Sequence, residues 1–167
     1  MRKLLASICL LLGASASFAQ TSPTTVRWQS IVGVITAQNV NNPIANGINS
    51  GTFAWSTRGG TAKVTLANGA FAFHVEGLVI NGTSFSGTPG PITDIEGTLV
   101  CNPGSNQQSV HNTPAAKLDA QGNAQFSGNF SNLPAACGNP LFLVRIFNPS
   151  GARGLWIATG AQRSFEQ

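Results

Sequence analysis

Apolar positions along this chain come in short alternating runs separated by Gly, Pro, Asn and Asp, the pattern of β-strands and turns. The clearest run is 70–80 (AFAFHVEGLVI), preceded by 61–66 (TAKVTL) and by Asn68-Gly69, a dipeptide suited to a tight type I′ hairpin turn. On its second arm Phe71, Phe73 and Val75 fall on one face, and Ala70, Ala72, His74 and Glu76 on the other. The first set predicts core. Further strands are predicted at 28–38, 52–56 and 92–101. A second hairpin (115–118 with 124–130) turns at 119–122, and a last one (141–148 with 154–160) turns at Pro149-Ser150-Gly151. Loops fill 39–46, 81–91, 102–112 and 133–140. Eight or nine strands make a single antiparallel β-sandwich, Ig-like or jelly-roll-like, with a small barrel as the alternative. Phe53, Trp55, Phe71, Phe73, Val75, Leu99, Phe126, Leu143, Phe147 and Trp156 are the expected core.

The first residues break this rhythm. Arg2 and Lys3 precede an uncharged apolar run at 4–13, and Ser17-Phe18-Ala19 fits a small-x-small cleavage site before Gln20. The run is about half of the ~20 apolar residues that a spanning helix needs. Residues 1–19 therefore predict a secretory signal peptide, with Ala14-Ser15-Ala16 as an alternative cleavage site. Residues 20–167 form one domain, and no later segment is apolar for long enough to span a membrane as a helix.

Cleavage changes the charge and the cysteine count. The whole chain carries a net charge of +4. Without Arg2 and Lys3, seven cations face five acids, a net +2. Those cations are scattered singly, with no basic stripe to neutralise a row of phosphates, so nucleic acid is excluded as a partner. Cys9 leaves with the signal, and Cys101 and Cys137 remain as a pair. In an oxidising compartment a pair predicts a disulfide, worth roughly 3–4 kcal/mol for a loop of this length. Only 8% of residues are charged, too few to line the wet faces of surface helices. With no Tyr for aromatic girdles and mostly short strands, an outer-membrane barrel is not expected.

Candidate chemistry is sparse. His74 and Glu76 share one strand face, and Asp94 and Glu96 share another; were 81–91 a hairpin loop, the four side chains would converge as a hard-metal or acid/base cluster. The competing expectation is four ordinary solvent-facing residues. No Gly-x-Ser-x-Gly elbow marks a nucleophilic serine, so no catalytic residue is assigned. No cofactor is called for. Asn81-Gly82-Thr83 and Asn129-Phe130-Ser131 match the glycosylation sequon.

Two resemblances add to this reading. Segments 75–101 and 141–160 resemble parts of secreted bacterial β-sandwich proteins of similar size that carry no assigned activity. Segment 60–78 (GTAKVTLANGAFAFHVEGL) is similar to the strand-turn-strand of CHRD domains, which implies an extracellular β module. Fimbrial subunits share the size, signal and single disulfide, but their bridge lies early in the chain, whereas Cys101 and Cys137 lie late. Together these features predict a secreted, periplasmic or envelope-associated non-catalytic protein acting in binding or structural assembly. A protein or cell-surface partner fits that role. The alternatives are a small metal-dependent enzyme using His74, Glu76, Asp94 and Glu96, or a small-ligand-binding β-barrel.

Overall fold

A computed structural model describes residues 25–37, 39–150 and 154–166. The signal-peptide expectation lies outside these residues. The described chain is all-β, with strands β1 (Thr25–Gly33), β2 (Pro43–Ala45), β3 (Ile48–Asn49), β4 (Ala54–Ser56), β5 (Gly59–Thr65), β6 (Ala70–Glu76) and β7 (Val79–Asn81) in its first half. The second half holds β8 (Asp94–Cys101), β9 (Ser109–Asn112), β10 (Ala116–Lys117), β11 (Ala124–Asn129), β12 (Leu141–Ile146) and β13 (Trp156–Glu166). Nine of these strands form one antiparallel sheet in the order β10-β8-β12-β13-β1-β5-β6-β11, with β9 also paired to β8. Two small pairs, β2–β3 and β4–β7, lie outside it. The expected all-β antiparallel architecture is present.

The sheet is curled into a half-barrel. Four strand spacings separate β6 from β12, roughly 19 Å on a flat sheet, yet the Phe73 and Phe142 rings lie 5.4 Å apart. Trp28 of β1 meets Phe142 at 5.6 Å, closing an aromatic cluster inside the curl. Two glycines make room for it. A Cβ on Gly97 would stand 2.8 Å from Phe73 and 2.9 Å from Phe142, and one on Gly160 would stand 2.6 Å from Trp28. Trp28, Phe73, Leu99 and Phe142 are almost wholly buried in this interior.

The two edges of the curl approach each other. The turn after β10 leads straight into β11, on the opposite edge, and Leu78 N–H donates to the Gly122 carbonyl at 2.8 Å. Nearer the other end, His111 of β9 packs edge-on against Phe130 with centroids 6.5 Å apart. Among the described residues no ladder joins β11 to β9 or β10. The expected second hairpin is therefore a seam. Its two arms pair with β8 and β6 rather than with each other.

A second layer covers the outward face of β12 and β13. The Trp156 indole donates to the Asn42 carbonyl at 2.9 Å, and Gly51 N–H donates to the Trp156 carbonyl at 3.2 Å. Beneath it Arg145 is fully buried, giving Nε and Nη2 to the Gly154 carbonyl at 2.8 and 2.6 Å. Burial on both faces is why 141–146 shows no alternation.

Several local expectations shift. The first strand runs from Thr25 to Gly33 rather than from 28 to 38. Phe53 is 41% exposed and is not core, because β4 begins at Ala54 and turns Trp55 inward. Phe126 and Phe147 are half-buried, and the other seven expected core residues are buried. The Asn68-Gly69 turn is not type I′. Only Gly69 has a positive φ (75°), and its N–H reaches back to the Thr65 carbonyl at 2.8 Å, a wider loop with one left-handed residue.

Candidate functional site

The outward face of β5, β6 and β11 carries the expected His74 and Glu76. His74 stands in register with Thr61 on β5 and Gln125 on β11, and its Nδ1 lies 3.2 Å from the Thr61 hydroxyl. Two open grooves meet here. One, of about 620 Å³, is lined by Arg58, His74, Glu76, Lys117, Asp119 and Gln125 among others. The other, of about 750 Å³, is lined by Arg27, Thr61, Lys63, His74, Gln125 and Ser127 among others. Because they share His74 and Gln125, they form one continuous trough of mixed charge.

The turn after β10 fixes one wall. The Asp119 carboxylate accepts from the N–H groups of Asn123 (2.8 Å) and Gln121 (2.9 Å) and from Asn123 Nδ2 (3.0 Å). These bonds, led by the one from the Asn123 backbone, hold Asp119 below its usual pKa. Asn123 Oδ1 in turn accepts from Gly77 N–H at 3.1 Å and from the Arg58 guanidinium at 3.5 Å.

The other two members of the expected cluster are placed differently. Asp94 receives Lys117 Nζ at 2.8 Å and the Thr93 hydroxyl at 2.7 Å. Those hydrogen bonds, Lys117 first, lower its pKa. Glu96 lies beneath the second layer, 3.8 Å from Arg145. Burial raises its pKa, and the Arg145 charge partly offsets this. The 82–91 segment is not the turn of a β6–β8 hairpin: β7 intervenes and pairs with β4, while β8 pairs with β9, β10 and β12. Lys117 is the link between the two halves, binding Asp94 while lining the trough beside His74 and Glu76. Among the described residues no group of three or more His, Cys, Asp or Glu is placed to hold a metal ion.

His111 serves the seam. Its Nε2 lies 3.0 Å from the Ser109 hydroxyl, and burial lowers its pKa against a hydrogen bond with the Ser131 backbone. Cys101 and Cys137 stand at disulfide distance, with Cα atoms 4.7 Å apart.

One site was missed by the sequence reading. At the end of the half-barrel where β13 finishes, a pocket of about 540 Å³ is lined by Leu66, Leu133, Pro134, Ala136, Cys137 and Phe165 among others. Its only sequence signal is the run Leu133-Pro134-Ala135-Ala136, apolar yet inside a loop. No protein-family model, curated protein or solved structure matches this chain.

Proposed function

We propose that the chain is exported, loses residues 1–19, and works in the extracellular or envelope space as a non-catalytic protein that binds a protein or cell-surface partner. The trough across β5, β6 and β11 is its contact face. The observation that carries this reading is the trough's mixed lining. Arg58, Lys63 and Lys117 alternate with Glu76 and Asp119, and Thr61, Gln125 and Ser127 supply neutral donors and acceptors. Closely spaced charges of both signs suit the mixed surface of a protein and give specificity and steering. All three tryptophans are buried elsewhere, so this face offers no indole platform for stacking sugars.

Several of the polar groups with catalytic potential are tied into local structure. Asp94 holds Lys117, Asp119 ties its own turn, Glu96 faces Arg145, and Arg27 pairs with Glu166. Export is supported by the N-terminal pattern, and a disulfide is compatible with it. The reading is tested in the native host. Sequencing of the mature protein should begin at Gln20. A photo-cross-linking residue at Gln125 should trap one defined partner band, absent when the same residue replaces Phe85 in the 82–91 loop. An uncleaved chain in the cytoplasm, or identical bands from both positions, overturns it.

A further inference from the structure

The pocket beside Phe165 differs in kind from the trough. Its lining is mainly aliphatic and aromatic, and it sits where β13 ends and the 131–140 segment folds over the Thr65–Ala70 turn. That outer wall is pinned at several points. The Cys101–Cys137 link anchors it to β8. Asn102 N–H donates to the Gly138 carbonyl at 2.8 Å, and Gly138 N–H returns a bond to Asn102 Oδ1 at 2.9 Å. Arg163 Nη1 donates to the Pro140 carbonyl at 2.7 Å. A wall held this way is preformed, which lowers the ordering cost of binding.

The rim carries a cation. Arg163 lies with its guanidinium carbon 5.1 Å from the centroid of Phe165, a pocket-lining ring. Its bonds to Pro140 and Asn139 leave donors of its planar fork free. Among the described residues, none that lines the pocket is acidic. Glu166 projects to the opposite face of β13, where it pairs with Arg27. An apolar cleft with a cation at its lip complements an anionic head on an apolar tail.

We propose that this pocket binds a free single-chain fatty carboxylate, its tail against Leu66, Leu133 and Phe165 and its head group at Arg163. The site is distinct from the trough and does not depend on the role given to it.

Calorimetric titration of the oxidised protein with monomeric octanoate, decanoate and decanol tests this. Saturable binding of one molecule per chain is expected, tightening by up to about fourfold for each added methylene. Arg163→Gln should weaken decanoate about threefold to fivefold, the range for an exposed charge pair, and leave decanol unchanged; Arg163→Lys should restore part of the loss. Ala136→Trp, which fills an exposed part of the pocket, and Leu133→Asp should each abolish both ligands. The proposal is overturned if no saturable binding occurs, if Ala136→Trp binds like the wild type, or if Arg163→Gln weakens decanol as much as decanoate. It is equally overturned if the protein binds phosphatidylglycerol vesicles but no monomer. A dimer that Ala136→Trp dissociates, with no carboxylate bound, assigns the pocket to a second copy instead.

Discussion

The two faces of the curled sheet use the same backbone for opposite ends. Inward, Trp28 and Phe73 both meet Phe142, and Gly97 and Gly160 are small because those rings occupy the space a side chain would need. Outward, β5, β6 and β11 present Thr61, Lys63, His74, Gln125 and Ser127 to an open trough. The lesson lies in where the aromatic residues went. Large rings pack the inside of the curl, while the trough and the Phe165 pocket open on its outer surface and at its end.

Changes inside should therefore be costly and changes outside nearly free. Phe142→Ala removes the ring that joins β1, β6 and β12, and should lower stability by about 3–5 kcal/mol in denaturant titration. Replacing Cys101 and Cys137 by Ser should cost roughly 3–4 kcal/mol, the loop-closure value, and loosen the Phe165 pocket. Gly97→Ala forces a methyl against two rings and should cost about 1–3 kcal/mol. At the other extreme, His74→Ala with Gln125→Ala should move stability by under about 0.5 kcal/mol while weakening partner cross-linking. A large loss of stability from that pair would erase the distinction between the faces.

Between these extremes lie the titrating groups. Asp94 and Asp119 have lowered pKa values, so their contribution to stability is present above the ordinary value of 3.8 and is lost as pH falls through the lowered ones. Glu96 has the opposite sign. Its contribution is full below the ordinary value of 4.5 and is lost as pH rises through its raised pKa. Glu96→Gln should remove that decline, so melting curves of wild type and variant should diverge on raising pH from 4 to 7, roughly the window around the ordinary carboxylate range. Parallel curves would place Glu96 in solvent rather than beneath the second layer.

What could be read from the sequence follows from which faces are buried once and which twice. On β6 one face is core and the other trough, so Phe71, Phe73 and Val75 alternate visibly with Ala72, His74 and Glu76. On β12 the second layer buries the outward side too, Arg145 included, and the alternation disappears. Phe53 misled because composition marks an aromatic residue as core without saying where the strand begins. The four-residue cluster rested on a β6–β8 neighbourhood, and strand order in a curled sheet depends on long-range pairing that local pattern does not encode. Lys117, which joins Asp94 to the trough, became visible only with β10 in place beside β8. The Phe165 pocket combines the β5–β6 turn, a disulfide-pinned loop and the last strand, three stretches far apart in sequence.

The packing of the interior is tested most directly with a small apolar probe. Methyl NMR of the wild type under xenon should show no saturable shifts at Val26, Ile95 or Val144, which line the buried core. The Phe142→Ala variant, with a cavity opened at the same place, should show them. Saturable shifts in the wild type would contradict the account, because they would reveal an internal site among these buried core side chains.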